Sequence, residues 1–151
     1  MDIDVYIKRL QKVANDYQSF VFNVSKKSEP YILAIPKRRI FNKGTDANDT
    51  SIKPSYKDST IATKKSRGQI TSHVTLRDSG DLYKSFKLVK EGNSIDFTVP
   101  NNDVTDFLSG HYSGNELFGF SPDDGEKIFK LFIKPALDDL INGDGNINIE
   151  I

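Results

Sequence analysis

Residues 53–86, KPSYKDSTIATKKSRGQITSHVTLRDSGDLYKSF, separate the clearest helical and strand patterns of the chain. The stretch is polar and rich in lysine and hydroxyl groups. Asp58 or Ser59 can cap a short helix over 57–65, with Ile61 as its one apolar anchor and Ser66-Arg67-Gly68 as its end. Val74 and Leu76 alternate with Thr75 and Arg77 as a brief strand would. Asp78-Ser79-Gly80-Asp81 reads as a turn, with Asp78 and Ser79 as the cap pair of a helical turn carrying Leu82, Tyr83 and Phe86. Residues 45–57 are Asp, Asn, Thr, Ser and Pro, a loop composition. Residues 44–75 are therefore expected to form a long polar arm without hydrophobic anchors. Such an arm is costly to order in one copy, and a partner or neighbouring copy would steady it.

Downstream, Phe86 and Leu88, then Ile95, Phe97 and Val99, alternate about Lys90-Glu91-Gly92-Asn93, which predicts a β-hairpin closed by Pro100. Val104, Phe107 and Leu108 predict a helical turn. Ser121-Pro122-Asp123-Asp124 is a helix entry, with Ser at the cap, Pro at the first helical position and acids in the first turn. The helix that follows is broadly apolar from Ile128 to Ile141, bends at Pro135 and stops at Asn142-Gly143, leaving 142–151 as a flexible tail.

Upstream, Ile3, Tyr6, Ile7, Leu10, Val13, Ala14 and Tyr17 recur at three- and four-residue steps, predicting a helix over 3–18 capped by Asp2 or Asp4. Phe20, Phe22 and Val24 make either a short extended piece or the end of that helix. Ser28 caps a second helical region over 29–42, interrupted by Pro36 and closed by Gly44. The fold class expected is α+β: a small antiparallel sheet made of a β-hairpin, packed against N-terminal and C-terminal helices, with a long polar central loop. The chain, residues 1–151, has the size of one domain.

Lys plus Arg and Asp plus Glu are 21 each, so the basic excess usual in duplex-binding proteins is missing and generic nucleic-acid binding is disfavoured. There is no cysteine, which removes disulfides, thiolate nucleophiles and thiolate metal sites. MDIDVYIKRLQKV is acidic and then amphipathic, unlike a signal peptide, and no run approaches the roughly 18 apolar residues of a membrane span. A product in the cytoplasm is expected, away from membranes.

No catalytic centre is visible. His73 and His111 lack the spacing of a metal pair and read as loop or surface histidines. Ser79 lies in Arg77-Asp78-Ser79-Gly80, where a nucleophile elbow would need glycine in place of Arg77. Residues 140–151 approximate a calcium loop at Asn142, Asp144, Gly145 and Asn148, but Leu140 and Ile151 stand at the first and last ligand positions. A helix cap followed by a polar tail is the better reading. Lys37-Arg38-Arg39 and Lys64-Lys65-Ser66-Arg67 are short basic clusters expected on solvated faces.

The central stretch resembles the tailed-bacteriophage virion morphogenesis family, the tail-completion or minor-tail proteins of the head–tail connection. The matching residues are Pro54, Ser55, Ser59, Thr60, Ile61, Lys64 and Lys65, then Leu76, Asp78, Ser79, Gly80, Leu82, Ser85 and Phe86. Ile40-Phe41-Asn42-Lys43-Gly44-Thr45-Asp46 and Leu117-Phe118-Gly119-Phe120-Ser121-Pro122 hold similar places around it. The family's tryptophan and leucine near the loop are absent, with Ile52 and Tyr56 the nearest bulky residues.

The resemblance implies a structural virion protein in head–tail connection or tail completion, made in the host cytoplasm. It implies no reaction and no cofactor. The implied partners are copies of itself in a ring and other phage structural proteins, such as a connector, tail tube or terminator, with DNA in the assembled channel. Lys64, Lys65, Arg67, Arg77 and Asp81 are the interface candidates. The alternatives are a small hydrolase or nuclease using His73 or His111, or a nucleic-acid-binding module.

Overall fold

A computed structural model describes residues 2–92 and 94–143. Among these, the chain is α+β, with helices surrounding one two-stranded antiparallel hairpin. Helix α1 spans Ile3–Asn15, opened by Asp2, whose side chain accepts the Asp4 N–H. The predicted 3–18 helix is in fact two. Asp16 leaves helical geometry at φ −115° and ψ 23°, and α2 restarts at Tyr17–Lys27. Phe20, Phe22 and Val24 thus belong to a helix, and Phe20 packs with Val13, Ile133 and Leu140.

Helix α3, Glu29–Lys37, continues into a π-helical turn, Arg38–Lys43, stopped by Gly44 at φ 69°. Only glycine serves there, since an added Cβ would meet the Val74 carbonyl oxygen as well as the left-handed strain. Residues 45–57 form the expected loop, pinned by Asp46, whose Oδ1 accepts from Asn48 N, Thr50 N and Thr50 Oγ1 at 3.0–3.1 Å. Helix α4, Asp58–Ser66, follows; neither Asp58 nor Ser59 caps it by a side-chain bond, and Asp58 lies inside its first turn.

Val74 and Leu76 are not a strand. Leu76 has φ 52°, which breaks an extended run, and the Thr75 N–H donates to Tyr56 Oη at 2.9 Å rather than to a neighbouring strand. Helix α5, Asp81–Lys84, leads to β1, Lys87–Glu91, and β2, Ser94–Thr98, with Glu91 opposite Ser94. Helix α6, Asp103–His111, opens with a capping box between Asn102 and Thr105. Helix α7, Pro122–Ile128, carries a second box from Ser121 and Asp124. A π-helical stretch, Phe129–Ile133, joins it to α8, Lys134–Asn142. The wide turn lies immediately before Pro135, which has no N–H for the carbonyl one turn back.

The central core joins Ile32, Leu33, Ile40 and Phe41 to Phe86, Leu88 and Phe97, with Phe86 and Phe97 stacked at 4.7 Å. The hairpin rests on α2 and α3, and Ile128 and Phe132 approach from the C-terminal helices. A second cluster ties α1 and α2 to α8, and a third holds Ile52, Val74, Tyr112 and Leu117. Residues 44–75 therefore do have hydrophobic anchors, contrary to expectation: Ala47, Ile52 and Val74 are buried. The 142–151 tail and the calcium-loop reading fall largely outside the described residues.

Candidate functional site

The site is an open cleft of about 760 Å³ between α4, the turn before α5, and α6. Its walls carry Tyr56, Tyr83, Phe107 and Tyr112, with Phe41 beneath. The four candidates Lys64, Arg67, Arg77 and Asp81 are brought together around it; Lys65 is not, and stands exposed on α4. The polar stretch that looked like an unanchored loop thus folds into one wall of a groove.

Lys64 is buried, not a free surface cation. Its Nζ donates to the Arg77 carbonyl at 2.5 Å and to Gln69 Oε1 at 3.1 Å, and lies 5.1 Å from the Tyr56 ring centre. It ties α4 to the following loop. Arg67 pairs with Asp78 at 2.6 Å, so Asp78 holds a guanidinium rather than capping α5. Ser79 does serve the turn: its Oγ donates to Asp81 Oδ2 at 2.8 Å and accepts from the Asp81 N–H.

Tyr83 sits between two cations, with Lys37 Nζ 4.5 Å and the Arg77 guanidinium 5.6 Å from its ring centre. Burial lowers the Lys37 pKa below its ordinary value. Neither Lys37 nor Arg77 has an ion-pair partner among the described residues. Burial raises the Tyr112 pKa, and the neighbouring Tyr56 adds to this. The cleft is therefore an aromatic trough whose lining carries charges of both signs, Lys64, Arg67 and Arg77 with Asp78 and Asp81.

The structure keeps the histidines apart from acids in its hydrogen bonding. His73 is held between Ser72 Oγ and the Asn42 carbonyl, and His111 stacks on Phe107 at 5.5 Å. No group of three metal-ligating side chains occurs among the described residues.

Arg39 was expected on a solvated basic face with Lys37 and Arg38, and is instead buried. Its Nε donates to Asp124 at 2.8 Å, its Nη1 to the Thr45 carbonyl at 3.1 Å and its Nη2 to the Gly119 carbonyl at 2.6 Å. That hub fixes the loop after Gly44 against the start of α7. The cleft's aromatics were not legible in the sequence, because Tyr56, Tyr83 and Phe107 come from three separate segments that no local pattern links.

No family model, no curated protein and no solved structure matches the chain.

Proposed function

We propose that the protein is a structural assembly subunit, working through protein–protein contacts and forming a ring oligomer. The observation that carries this reading is the apolar surface left in solvent around a complete core. Ile3, Ile7 and Leu10 on α1, Val104 and Phe107 on α6, and Phe129 and Leu131 on the C-terminal π-turn are exposed, and they cluster on particular elements. Grouped exposure of this kind marks surfaces that other chains cover. The resemblance of residues 53–86 to tailed-phage morphogenesis proteins supplies the setting: head–tail connection or tail completion, with Lys64, Arg67, Arg77 and Asp81 in or beside the contact.

Negative-stain electron microscopy of the purified protein tests the ring. Closed annular particles are expected at concentrations where the chain associates. Dispersed particles of single-chain size throughout would overturn it.

A further inference from the structure

The hairpin has one edge closed and one open. The Leu88 N–H donates to Glu29 Oε1, and the Phe97 N–H donates to Asp96 Oδ1, both at 2.8 Å. This cross-strand pair therefore turns its backbone groups away from the ladder, and Ile95, two residues back on β2, turns its own the same way. On β1 that side rests on α2 and α3, with Glu29 supplying the acceptor. On β2 nothing among the described residues bonds to the Ile95 N–H and C=O or to the Phe97 C=O. Beside this edge lies an apolar row: Phe97 is buried, and Ile95 and Val99 on the same side are half-buried. An open edge along an apolar row is a template for another strand.

The matching period stands at the far end of the sequence. Asn146-Ile147-Asn148-Ile149-Glu150-Ile151 alternates polar and apolar residues, the pattern of a strand with one buried face. The run follows Gly143, whose carbonyl accepts from Arg9 at the seam of α1 and α8. Phe132 packs against the hairpin core, and α8 carries the chain on the order of 15 Å from there to Gly143. Leu140 of α8 packs with Val13 and Phe20, not with the hairpin. Only Asp144 and Gly145 join Gly143 to the alternating run, a reach of about 10 Å. So short a tether favours the hairpin of a neighbouring copy over its own.

We infer that residues 146–151 of one copy add a third strand to the outer edge of β2 in the next. Ile147, Ile149 and Ile151 extend the row of Ile95, Phe97 and Val99, and Asn146, Asn148 and Glu150 face solvent beside Ser94, Asp96 and Thr98. Main-chain bonds to Ile95 and Phe97 hold the strand, and the isoleucine spacing decides which face is covered. Donor run and acceptor edge are different surfaces, so the contact is head-to-tail, and repetition closes a ring or extends a filament. This rests on the assembly reading and names its interface.

The test uses the absence of cysteine from the sequence. Asn148→Cys is combined in turn with Ser94→Cys, Asp96→Cys and Thr98→Cys, the positions on the outer face of β2, and a disulfide forms only where Cα atoms approach to within about 7 Å. For at least one pair, mild oxidation should give a non-reducing ladder in steps of 17.0 kDa, and mixed single variants should give the cross-linked pair. Closure within a single chain, links through position 148 alone, or no link in any pair would overturn the inference.

Ile149→Asp in the full chain should weaken association roughly ten- to a hundredfold, the loss of one buried aliphatic anchor. Melting of the single chain should stay unchanged, which separates a lost contact from a lost fold. Undiminished association of this variant would also overturn the inference. If the natural chain assembles and none of the three pairs links, this interface is wrong and the assembly reading stands. If it stays a single chain at every concentration, both fail.

Discussion

Arg39 and Asp124 meet 85 residues apart in sequence and are buried to 4% and 2% exposure, so each is the other's main compensation for leaving water. Arg39→Ala strands the Asp124 carboxylate and should cost about 3–5 kcal/mol. Thermal unfolding should drop by on the order of 6–20 °C, and a fall of under about 2 °C would show that the pair is not what joins the loop to α7. Nothing local announces this pair. In sequence Arg39 is the third member of a basic run, and only the partner across the fold turns it inward. Glu29 is the acid-sensitive counterpart. Burial pushes its pKa up, but the Lys26 ammonium and the Leu88 N–H, each at 2.8 Å, outweigh that and hold it below the usual 4.5. A carboxyl lowered in the folded state stabilises fully above its unfolded value and loses that contribution as pH falls through the folded one. Glu29→Gln should therefore flatten the fall in stability below about pH 4.5, read by melting across pH. An unchanged acid limb would contradict the assignment.

Elements were legible where the signal is local and lost where it is not. Ser121 and Gly44 announce their helix ends by side-chain or backbone chemistry within four residues, and the hairpin by alternation about Gly92, whereas the Asn102 cap of α6 went unread. The break at Asp16 carries no Gly or Pro, and the run at Val74 and Leu76 alternates correctly yet is stopped by a left-handed Leu76. There, packing of Val74 with Ile52 and Tyr112 decides the backbone, and alternation has no partner strand to act through. Gly44→Ala should destabilise by more than the roughly 1–3 kcal/mol of left-handed strain, because the new methyl also meets the Val74 carbonyl. Urea midpoints would show it, and an unchanged midpoint would contradict the close approach. The arm over 44–75 narrows in the same way. Its ends are held by Ile52 and Val74, so trypsin acting on the single chain should cut first after Lys65 or Arg67, at the exposed end of α4. First cuts after Lys43 or Lys57 would place the weak point elsewhere.

At the scale of the molecule, the residues that looked like a docking arm form one wall of a cleft, and the apolar helix that looked like core carries much of its face to solvent. The stripe on α1 is the same stripe in sequence whether its partner is α8 or another chain; only three-dimensional packing shows that its own molecule covers Val13 and leaves Ile3, Ile7 and Leu10. The 21 charges of each sign are interspersed at the cleft as they are over the chain, with Lys64, Arg67 and Arg77 beside Asp78 and Asp81. The proposed role requires this chain to work as one of several copies. Light scattering coupled to size exclusion, run across a wide concentration range, measures that directly. A mass rising to a fixed multiple of 17.0 kDa is expected, and a constant 17.0 kDa at every concentration would contradict the proposed assembly.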